Sequence, residues 1–291
     1  MNINGKLKGL SAIITGGSQG LGYEIAKQFV TEGANIMLCA RNIDSLHTAQ
    51  QELNKDTSKV LVKTCDISKL DQVEDLVATT LEAFQKIDIL VANAGVYGTK
   101  GPIDEINWDE WSRAIDINLK GTVIPCRSVL PHFKKNKAGK IIILSGGGAT
   151  KPMPYMSAYA ASKAAVVRFA ETLAEEVKHF NIDVNTVAPG ALNTRLLDEI
   201  LEAGPDKVGK SFYEQSLKQK NQGGTPLHVG ANLCTFLASK ESNGITGKLI
   251  SAVWDPWKNL PDYIDELQDS DIYTLRRIIP QDRGKNWDDI K

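Results

Sequence analysis

The sequence predicts an α/β protein built on a doubly wound parallel sheet of about seven strands, with helices on both faces and a C-terminal tail extension. Two observations carry this prediction. Short apolar runs alternate with amphipathic segments of helical spacing along most of the 291 residues. Each such helix must return over the sheet in a right-handed crossover, which makes successive strands parallel and covers both faces.

The first strand and the turn after it set the pattern. An apolar run over residues 10–15 leads into Gly16-Gly17-Ser18-Gln19-Gly20-Leu21-Gly22, and Ile25, Ala26 and Phe29 follow at helical spacing. We therefore expect a strand, a glycine turn and a helix. Further strands are predicted at 35–39, 60–63, 87–92, 140–144, 182–187 and 248–251.

Seven strands in one sheet use most of the chain, so we expect a single domain over residues 1–253. Residues 190–226 follow the sixth strand, at the edge where an open α/β sheet binds its ligand. We expect them to form a substrate lid rather than a plain surface excursion. Residues 254–291 form an acidic, aromatic extension that either wraps its own surface or reaches a neighbouring subunit.

Composition excludes several classes of function. The 34 Lys and Arg residues nearly balance 35 Asp and Glu residues, so no basic field draws nucleic acid or an anionic membrane. No apolar run approaches the roughly 20 residues that span a bilayer, and residues 1–6 lack a signal pattern. The 4 Cys and 4 His residues have no metal-ligand spacing, which favours buried thiols, a metal-free protein and a cytoplasmic location.

Tyr159 and Lys163 are the candidate pair for proton transfer. They stand four residues apart, so on a helix both side chains leave the same face. An ammonium within about 4 to 6 Å lowers the pKa of a phenol by roughly 1 to 3 units. We expect the phenol to serve as general acid and base, although the spacing alone also fits an ordinary helix surface.

The glycine turn suits a pyrophosphate. Gly16 and Gly20 permit a tight turn and a close approach of the backbone, and Gly22 lets the helix pack against the sheet. The N-terminus of the helix that follows offers free N–H groups to an anion. A structural turn without a ligand is the alternative.

Six motifs in order resemble those of the short-chain dehydrogenase/reductase family, over about residues 7–252. They are Thr15-Gly16-x-x-x-Gly20-x-Gly22, Asp66 in Cys65-Asp66-Ile67, Asn93-Ala94-Gly95, Asn118 in Ile117-Asn118-Leu119-Lys120-Gly121, Tyr159-x-x-x-Lys163, and Pro189-Gly190. The resemblance implies a single Rossmann-like NAD(P)-binding domain and an oxidoreductase that acts on a small carbonyl or alcohol.

The resemblance also implies roles for single residues. Tyr159 would exchange a proton with the substrate, Lys163 would lower the pKa of that tyrosine and hold the nicotinamide ribose, and Asn118 would keep a water beside the lysine. Adenine and ribose would meet Asp66 and Asn93. Further cofactor contacts are expected from Gly16, Ser18, Gln19, Gly20, Leu21, Gly22, Ile67, Ala94, Gly95, Pro189 and Gly190, and from Thr194 at the nicotinamide amide.

One position departs from the family pattern. The family usually has a serine thirteen residues before the tyrosine, where this chain has Gly146, and Ser145 is one place off. On a strand, a shift of one residue turns a side chain to the opposite face. Either the glycine-rich loop turns Ser145 into the site as a catalytic hydroxyl, or another group such as Ser157 replaces it. The loss of such a donor costs about 2.7 to 4 kcal/mol in the barrier.

The end of the second strand bears on cofactor choice. NAD-dependent enzymes commonly place an acidic residue there, whereas this chain has Ala40 followed by Arg41. A guanidinium can bind a 2'-phosphate, so we expect a preference for NADP(H), with NAD(H) possible as cofactor. The alternative is an exposed arginine that contacts nothing.

The leading hypothesis is therefore an NADP(H)-preferring enzyme that interconverts a carbonyl and an alcohol. The alternatives are a dinucleotide-binding sensor or scaffold with weakened catalysis, and an epimerase-type enzyme of the same family. Predicted helices at 107–133 and 157–180 resemble the pair through which relatives form homodimers or homotetramers. Because Pro125 interrupts the first of these, we expect a bend at 118–125.

Overall fold

Seven strands form one fully parallel sheet in the order β3-β2-β1-β4-β5-β6-β7, as the sequence predicts. The computed structural model describes residues 5–54 and 58–287, so residues 1–4, considered above for a signal pattern, lie outside the described part. The strands are β1 Ser11–Thr15, β2 Asn35–Ala40, β3 Val60–Thr64, β4 Ile89–Ala92, β5 Gly139–Leu144, β6 Ile182–Ala188 and β7 Leu249–Ser251.

The strand order reverses at β1, and this reversal positions the site. Ile13 of β1 pairs with Met37 of β2 on one side and with Leu90 of β4 on the other. The crossovers that leave β1 and β4 therefore run to opposite faces of the sheet. A crevice opens between them at the carboxyl ends of the strands.

Two layers of helices cover the sheet because each helix carries one apolar face. The first layer holds α1, α2 and α10, which pack around the buried Phe29, and the second holds α3, α5 and α6, which pack around the buried Phe133. The helices are α1 Gly20–Thr31, α2 Ile43–Leu53, α3 Leu70–Phe84, α4 Trp108–Ile115, α5 Gly121–Asn136, α6 Ser157–Val177, α7 Arg195–Ala203, α8 Pro205–Val208, α9 Lys210–Gln222, α10 Leu227–Ala238 and α11 Ile264–Gln268.

The helix predicted over 107–133 is interrupted where a bend was expected. A π-helical turn, Asp116–Lys120, separates α4 from α5. Pro125 has no N–H to donate to the preceding turn, which favours irregular hydrogen bonding there. The hydroxyl of Thr122 donates to the carbonyl of Asn118 at 2.8 Å and satisfies one of the carbonyls of the irregular turn.

Residues 190–226 contain three helices, α7 to α9. Gly204 and Gly209, with φ of 79° and 82°, form the short breaks between them. Left-handed backbone of this kind is easily adopted only by glycine.

The C-terminal extension packs on its own chain as far as Leu275. Leu260 and Leu267 are buried in the core layer that holds α1 and α10. The N–H of Leu249 on the edge strand β7 donates to the carbonyl of Tyr273 at 2.7 Å, and the N–H of Leu275 donates to Glu171 Oε1 at 2.6 Å. These contacts agree with an extension that wraps the surface of its own chain, and contact with a neighbouring subunit stays a prediction. In the described residues we find no helix with the length and apolarity needed to cross a bilayer.

Candidate active site

A cleft of about 1240 Å³ runs along the carboxyl edge of the sheet. It brings together every predicted site residue except Asn118, which lies buried behind it. The predicted residues that line the cleft are Gly16, Ser18, Gln19, Gly20, Leu21, Gly22, Arg41, Asp66, Ile67, Asn93, Ala94, Gly95, Ser145, Tyr159, Lys163, Pro189, Gly190 and Thr194.

The glycine turn presents bare backbone to the cleft. Gly16 and Gly20 have φ of 64° and 58°, and a Cβ at Gly16 would lie 2.9 Å from Ala94 Cα. Within the described residues, α1 has no side-chain cap at Gln19 and no acidic side chain in its first turn. Its free N–H groups therefore suit an anion, and the turn fits the pyrophosphate of a dinucleotide.

Asn93 ties the end of β4 to the glycine turn. Its Nδ2 donates to the carbonyls of Thr15 at 2.9 Å and Gly16 at 3.2 Å, while the Thr15 hydroxyl accepts from the N–H groups of Asn93 at 3.0 Å and Ala94 at 3.1 Å. The amide nitrogen of Asn93 is thus used to hold the turn. Its expected contact with adenosine stays a prediction.

Arg41 and Asp66 stand at the far end of the cleft, after β2 and β3. Asp66 Oδ1 accepts hydrogen bonds from the N–H of Ser68 at 3.0 Å and from its hydroxyl at 2.7 Å. Burial opposes ionisation of Asp66, but these bonds and the charges of Arg41 and Lys69 prevail and lower its pKa. Arg41 is exposed and makes no ion pair with any residue of the described ranges. Its guanidinium is therefore available to a ligand.

Tyr159 and Lys163 leave the same face of α6, and both are nearly buried, with exposed fractions of 8% and 6%. Lys163 Nζ donates to the carbonyl of Leu144 at 2.8 Å and lies 5.7 Å from the centroid of the Tyr159 ring. Burial lowers the pKa of Lys163 to about 8.

The expected lowering of the Tyr159 pKa is wrong for this structure. Burial, and then the neighbouring phenol of Tyr97, raise the pKa of Tyr159 well above its ordinary value. The loss of hydration disfavours the phenolate, and a lysine whose own ammonium is desolvated compensates only weakly. In this state the phenol is protonated and suited to donate a proton.

Asn118 lies in the π-helical turn and locks the segment that follows β4. Its Oδ1 accepts from the N–H of Val96 at 2.8 Å, and its Nδ2 donates to the carbonyl of Val96 at 2.9 Å and to Ser162 Oγ at 2.9 Å. A Cβ at Gly95 would lie 3.2 Å from Asn118 Oδ1 and 3.5 Å from Lys163 Nζ. Asn118 therefore stands next to the lysine, on the inner side of the cleft wall.

The position of the missing serine is occupied by the tyrosine hydroxyl itself. A Cβ at Gly146 would overlap the hydroxyl oxygen of Tyr159. Ser145 Oγ donates to the carbonyl of Lys163 at 3.5 Å, and Ser157 Oγ accepts from Trp111 Nε1 at 3.0 Å. Of the two serines proposed as substitutes, Ser145 thus uses its proton in a bond to a protein group, and Ser157 does not line the cleft. The hydroxyl of Ser145 faces the backbone of α6.

Sequence reasoning missed the apolar wall around Tyr159. The ring of Tyr97 meets the Tyr159 ring edge to face, with centroids 4.6 Å apart and planes at 62°. Met153, Ile200 and Phe212 join this cluster and line the cleft. Tyr97 follows the Asn93-Ala94-Gly95 motif by two residues, so its place near the site could have been predicted. Met153, Ile200 and Phe212 come from segments without a motif.

Comparison with known proteins decides the family. A sequence model described as short chain dehydrogenase matches residues 11–204, which is more than half of the chain. The chain belongs to the short-chain dehydrogenase family. It is 34% identical over 252 residues to 3-oxoacyl-(acyl-carrier-protein) reductase of Chlamydia muridarum, covering 86% of this chain and 98% of that protein. It is 33% identical over 247 residues to glucose 1-dehydrogenase of Gluconobacter oxydans, covering 84% and 91%.

The fold agrees with that of solved members. The crystal structure of levodione reductase superimposes with a TM-score of 0.78 at 26% identity, covering 84% of this short-chain dehydrogenase and 96% of that chain. The named relatives are reductases and dehydrogenases. The protein is therefore an NAD(P)-dependent oxidoreductase of the family, as the motifs predicted, and the sensor and epimerase alternatives are not favoured.

Proposed function

We propose that this short-chain dehydrogenase is an NADP(H)-preferring enzyme that reversibly interconverts a small-molecule carbonyl and an alcohol, with Tyr159 as general acid and base. The observation that carries the proposal is the shared cleft. Tyr159 and Lys163 open into the same cleft as the glycine turn, which suits a dinucleotide pyrophosphate.

Each group then has a chemical task. A bound nicotinamide supplies or takes the hydride. In reduction, Tyr159 gives its hydroxyl proton to the substrate oxygen, a role that suits a phenol kept protonated by burial. Lys163, with a pKa of about 8, holds a proton near neutral pH and is suited to return it to the phenolate. Asn118 positions the Val96 backbone beside them.

Tyr159→Phe tests this assignment. We expect loss of turnover with NADPH across a panel of aldehydes and ketones, while the dissociation constant of NADPH changes by less than about threefold. Tyr263→Phe, which removes a phenol hydroxyl from an exposed position in the C-terminal extension, is the matched control and should keep wild-type turnover. Retained turnover in Tyr159→Phe would end the assignment.

Cofactor preference rests on Arg41, because its exposed guanidinium at the cleft rim faces no ion-pair partner in the described part of the chain. A hydrogen bond to a charged group contributes about 1.5 to 3 kcal/mol. Arg41→Ala should therefore weaken NADPH binding about 10- to 150-fold and leave NADH binding unchanged, as measured by fluorescence titration. Arg113→Ala removes another exposed arginine as control. Equal losses for both cofactors would remove the argument.

We also propose an organisation for the chain. Residues 1–253 form one NAD(P)-binding domain, residues 190–226 serve as a lid over the substrate, and residues 254–291 extend the domain. A homodimer or homotetramer is expected through the segments 107–133, which contains α4 and most of α5, and 157–180, which contains α6. A monomer in light scattering at micromolar concentration would contradict it. The cytoplasm is the proposed compartment because all four cysteines are buried free thiols.

A further inference from the structure

The substrate oxygen needs a second hydrogen-bond donor that the family motif does not provide in this chain. A carbonyl oxygen has two lone pairs, and charge grows on it as hydride adds to the carbon. Tyr159 supplies one donor. The side chain usually found at position 146 is missing, the hydroxyl of Ser145 donates to the carbonyl of Lys163, and Ser157 does not line the cleft.

Tyr97 places a second phenol beside Tyr159 in the cleft. Its ring contacts the ring of Tyr159 edge to face, and both residues line the cleft. Within residues 5–54 and 58–287, neither hydroxyl is engaged in a hydrogen bond to another protein group, and both residues line the cleft. Because both residues line the cleft, both hydroxyl protons are available to a ligand that enters it.

The surroundings of Tyr97 keep it in place and protonated. Lys100 Nζ lies 6.0 Å from the centroid of the Tyr97 ring, donates to the carbonyl of Gly98 at 3.2 Å, and pairs with Glu199 of α7 at 3.9 Å. Burial and then the carboxylate of Glu199 raise the pKa of Tyr97. A phenol in this setting donates a hydrogen bond and does not ionise near neutral pH.

We propose that Tyr97 is a catalytic residue whose hydroxyl donates the second hydrogen bond to the substrate oxygen. It would replace the serine that the family usually has at the position of Gly146. The inference rests on the proposed carbonyl reduction. In that reaction the hydride forms a bond to the carbonyl carbon, the Tyr159 proton forms a bond to the oxygen, and an alcohol results. Tyr97 keeps its own proton throughout and stabilises the oxygen while it is negatively charged.

Tyr97→Phe is the decisive variant because it removes one oxygen and keeps the ring that packs on Tyr159. The assay uses NADPH and an apolar ketone such as cyclohexanone, since Met153, Ile200 and Phe212 form the nearby wall. Loss of one oxyanion donor lowers kcat about 10²- to 10³-fold. We expect that loss, with KM and the NADPH dissociation constant within about threefold of wild type. Tyr263→Phe, in the extension, should match wild type.

Other outcomes overturn the inference. A kcat within threefold of wild type, or a rise in KM alone, would mean that Tyr97 only packs against Tyr159. A wild-type enzyme that turns over no carbonyl would instead refute the proposed function. A crystal structure of the wild type with NADP⁺ and cyclohexanol gives an independent reading. The alcohol oxygen should lie within about 3.2 Å of both phenol hydroxyls, and a distance above about 4 Å to Tyr97 would overturn the proposal.

Discussion

Lys163→Met tests how strongly the site desolvates its ammonium. Burial lowers the pKa of Lys163 from 10.5 to about 8. Below about pH 8 the folded protein holds a buried charge that the unfolded chain would hydrate, so the lysine lowers the free energy of unfolding. Between about pH 8 and 10.5 the folded state has released this proton and the unfolded state has not, so stability rises with pH.

The expected magnitude follows from the size of the shift. About 2.5 pKa units at about 1.36 kcal/mol each give about 3 kcal/mol. The variant lacks this cost, but it also lacks the hydrogen bond from Nζ to the carbonyl of Leu144, worth about 1.5 to 3 kcal/mol. The two proteins should therefore differ little near pH 7. The wild type should gain about 3 kcal/mol relative to Lys163→Met by about pH 10.5.

Urea unfolding followed by tryptophan fluorescence, at several values between about pH 7 and 10.5, measures this difference. Lys218→Met, which removes an exposed lysine from α9, is the matched control, and its difference from wild type should not change with pH. The contributions of groups that titrate alike in both proteins cancel in the difference between their free energies of unfolding. A constant difference between wild type and Lys163→Met would refute the conclusion that the ammonium is desolvated.

Three further changes probe the site and the extension. Gly146→Ala should lower kcat about 10²-fold, because its Cβ displaces the Tyr159 hydroxyl. An unchanged kcat would show that the Tyr159 ring can move aside without loss of function. Gly22→Ala puts a Cβ 2.5 Å from Asn93 Nδ2. It should lower the free energy of unfolding in urea melts by about 1 to 3 kcal/mol and weaken NADPH binding in a fluorescence titration. Wild-type values for both would contradict the close packing seen at the turn. Ending the chain after Val253 removes Leu260 and Leu267 and exposes the core residues that they cover, so it should lower the free energy of unfolding by at least about 3 kcal/mol in urea melts. A smaller loss would mean that the extension is only loosely attached.

The fold was predictable because its signals are local. A strand buried on both faces must be a short apolar run, and all seven such runs became strands. The glycine turn was recognisable for the same reason, since positive φ at Gly16 and Gly20 restricts those positions strongly. Pro125 likewise indicated the irregular turn at Asp116–Lys120, because the missing N–H of a proline changes the hydrogen bonding of the helical turn that precedes it.

Side-chain direction within the site was not predictable. Whether Ser145 faces the substrate depends on how Gly146 and the residues after it turn, and glycine permits many such turns. The pKa of Tyr159 was predicted with the wrong sign because spacing on a helix gives the neighbour but not the burial. The charge of Lys163 is evident from the sequence, but the hydration that Tyr159 and Lys163 lose on burial is not.

The protonation of Tyr159 and Lys163 bears on both directions of the proposed reaction. Under the proposed mechanism Tyr159 gives its proton to a substrate oxygen in reduction and takes one from an alcohol in oxidation. Taking a proton requires phenolate, which only additional positive charge beside the ring will stabilise in a buried site. Lys163 supplies part of that charge, since its Nζ lies 5.7 Å from the centroid of the Tyr159 ring while one of its N–H groups donates to the carbonyl of Leu144. Reduction leaves the same phenolate behind when Tyr159 gives up its proton, so under the proposed mechanism both directions require positive charge beside the ring.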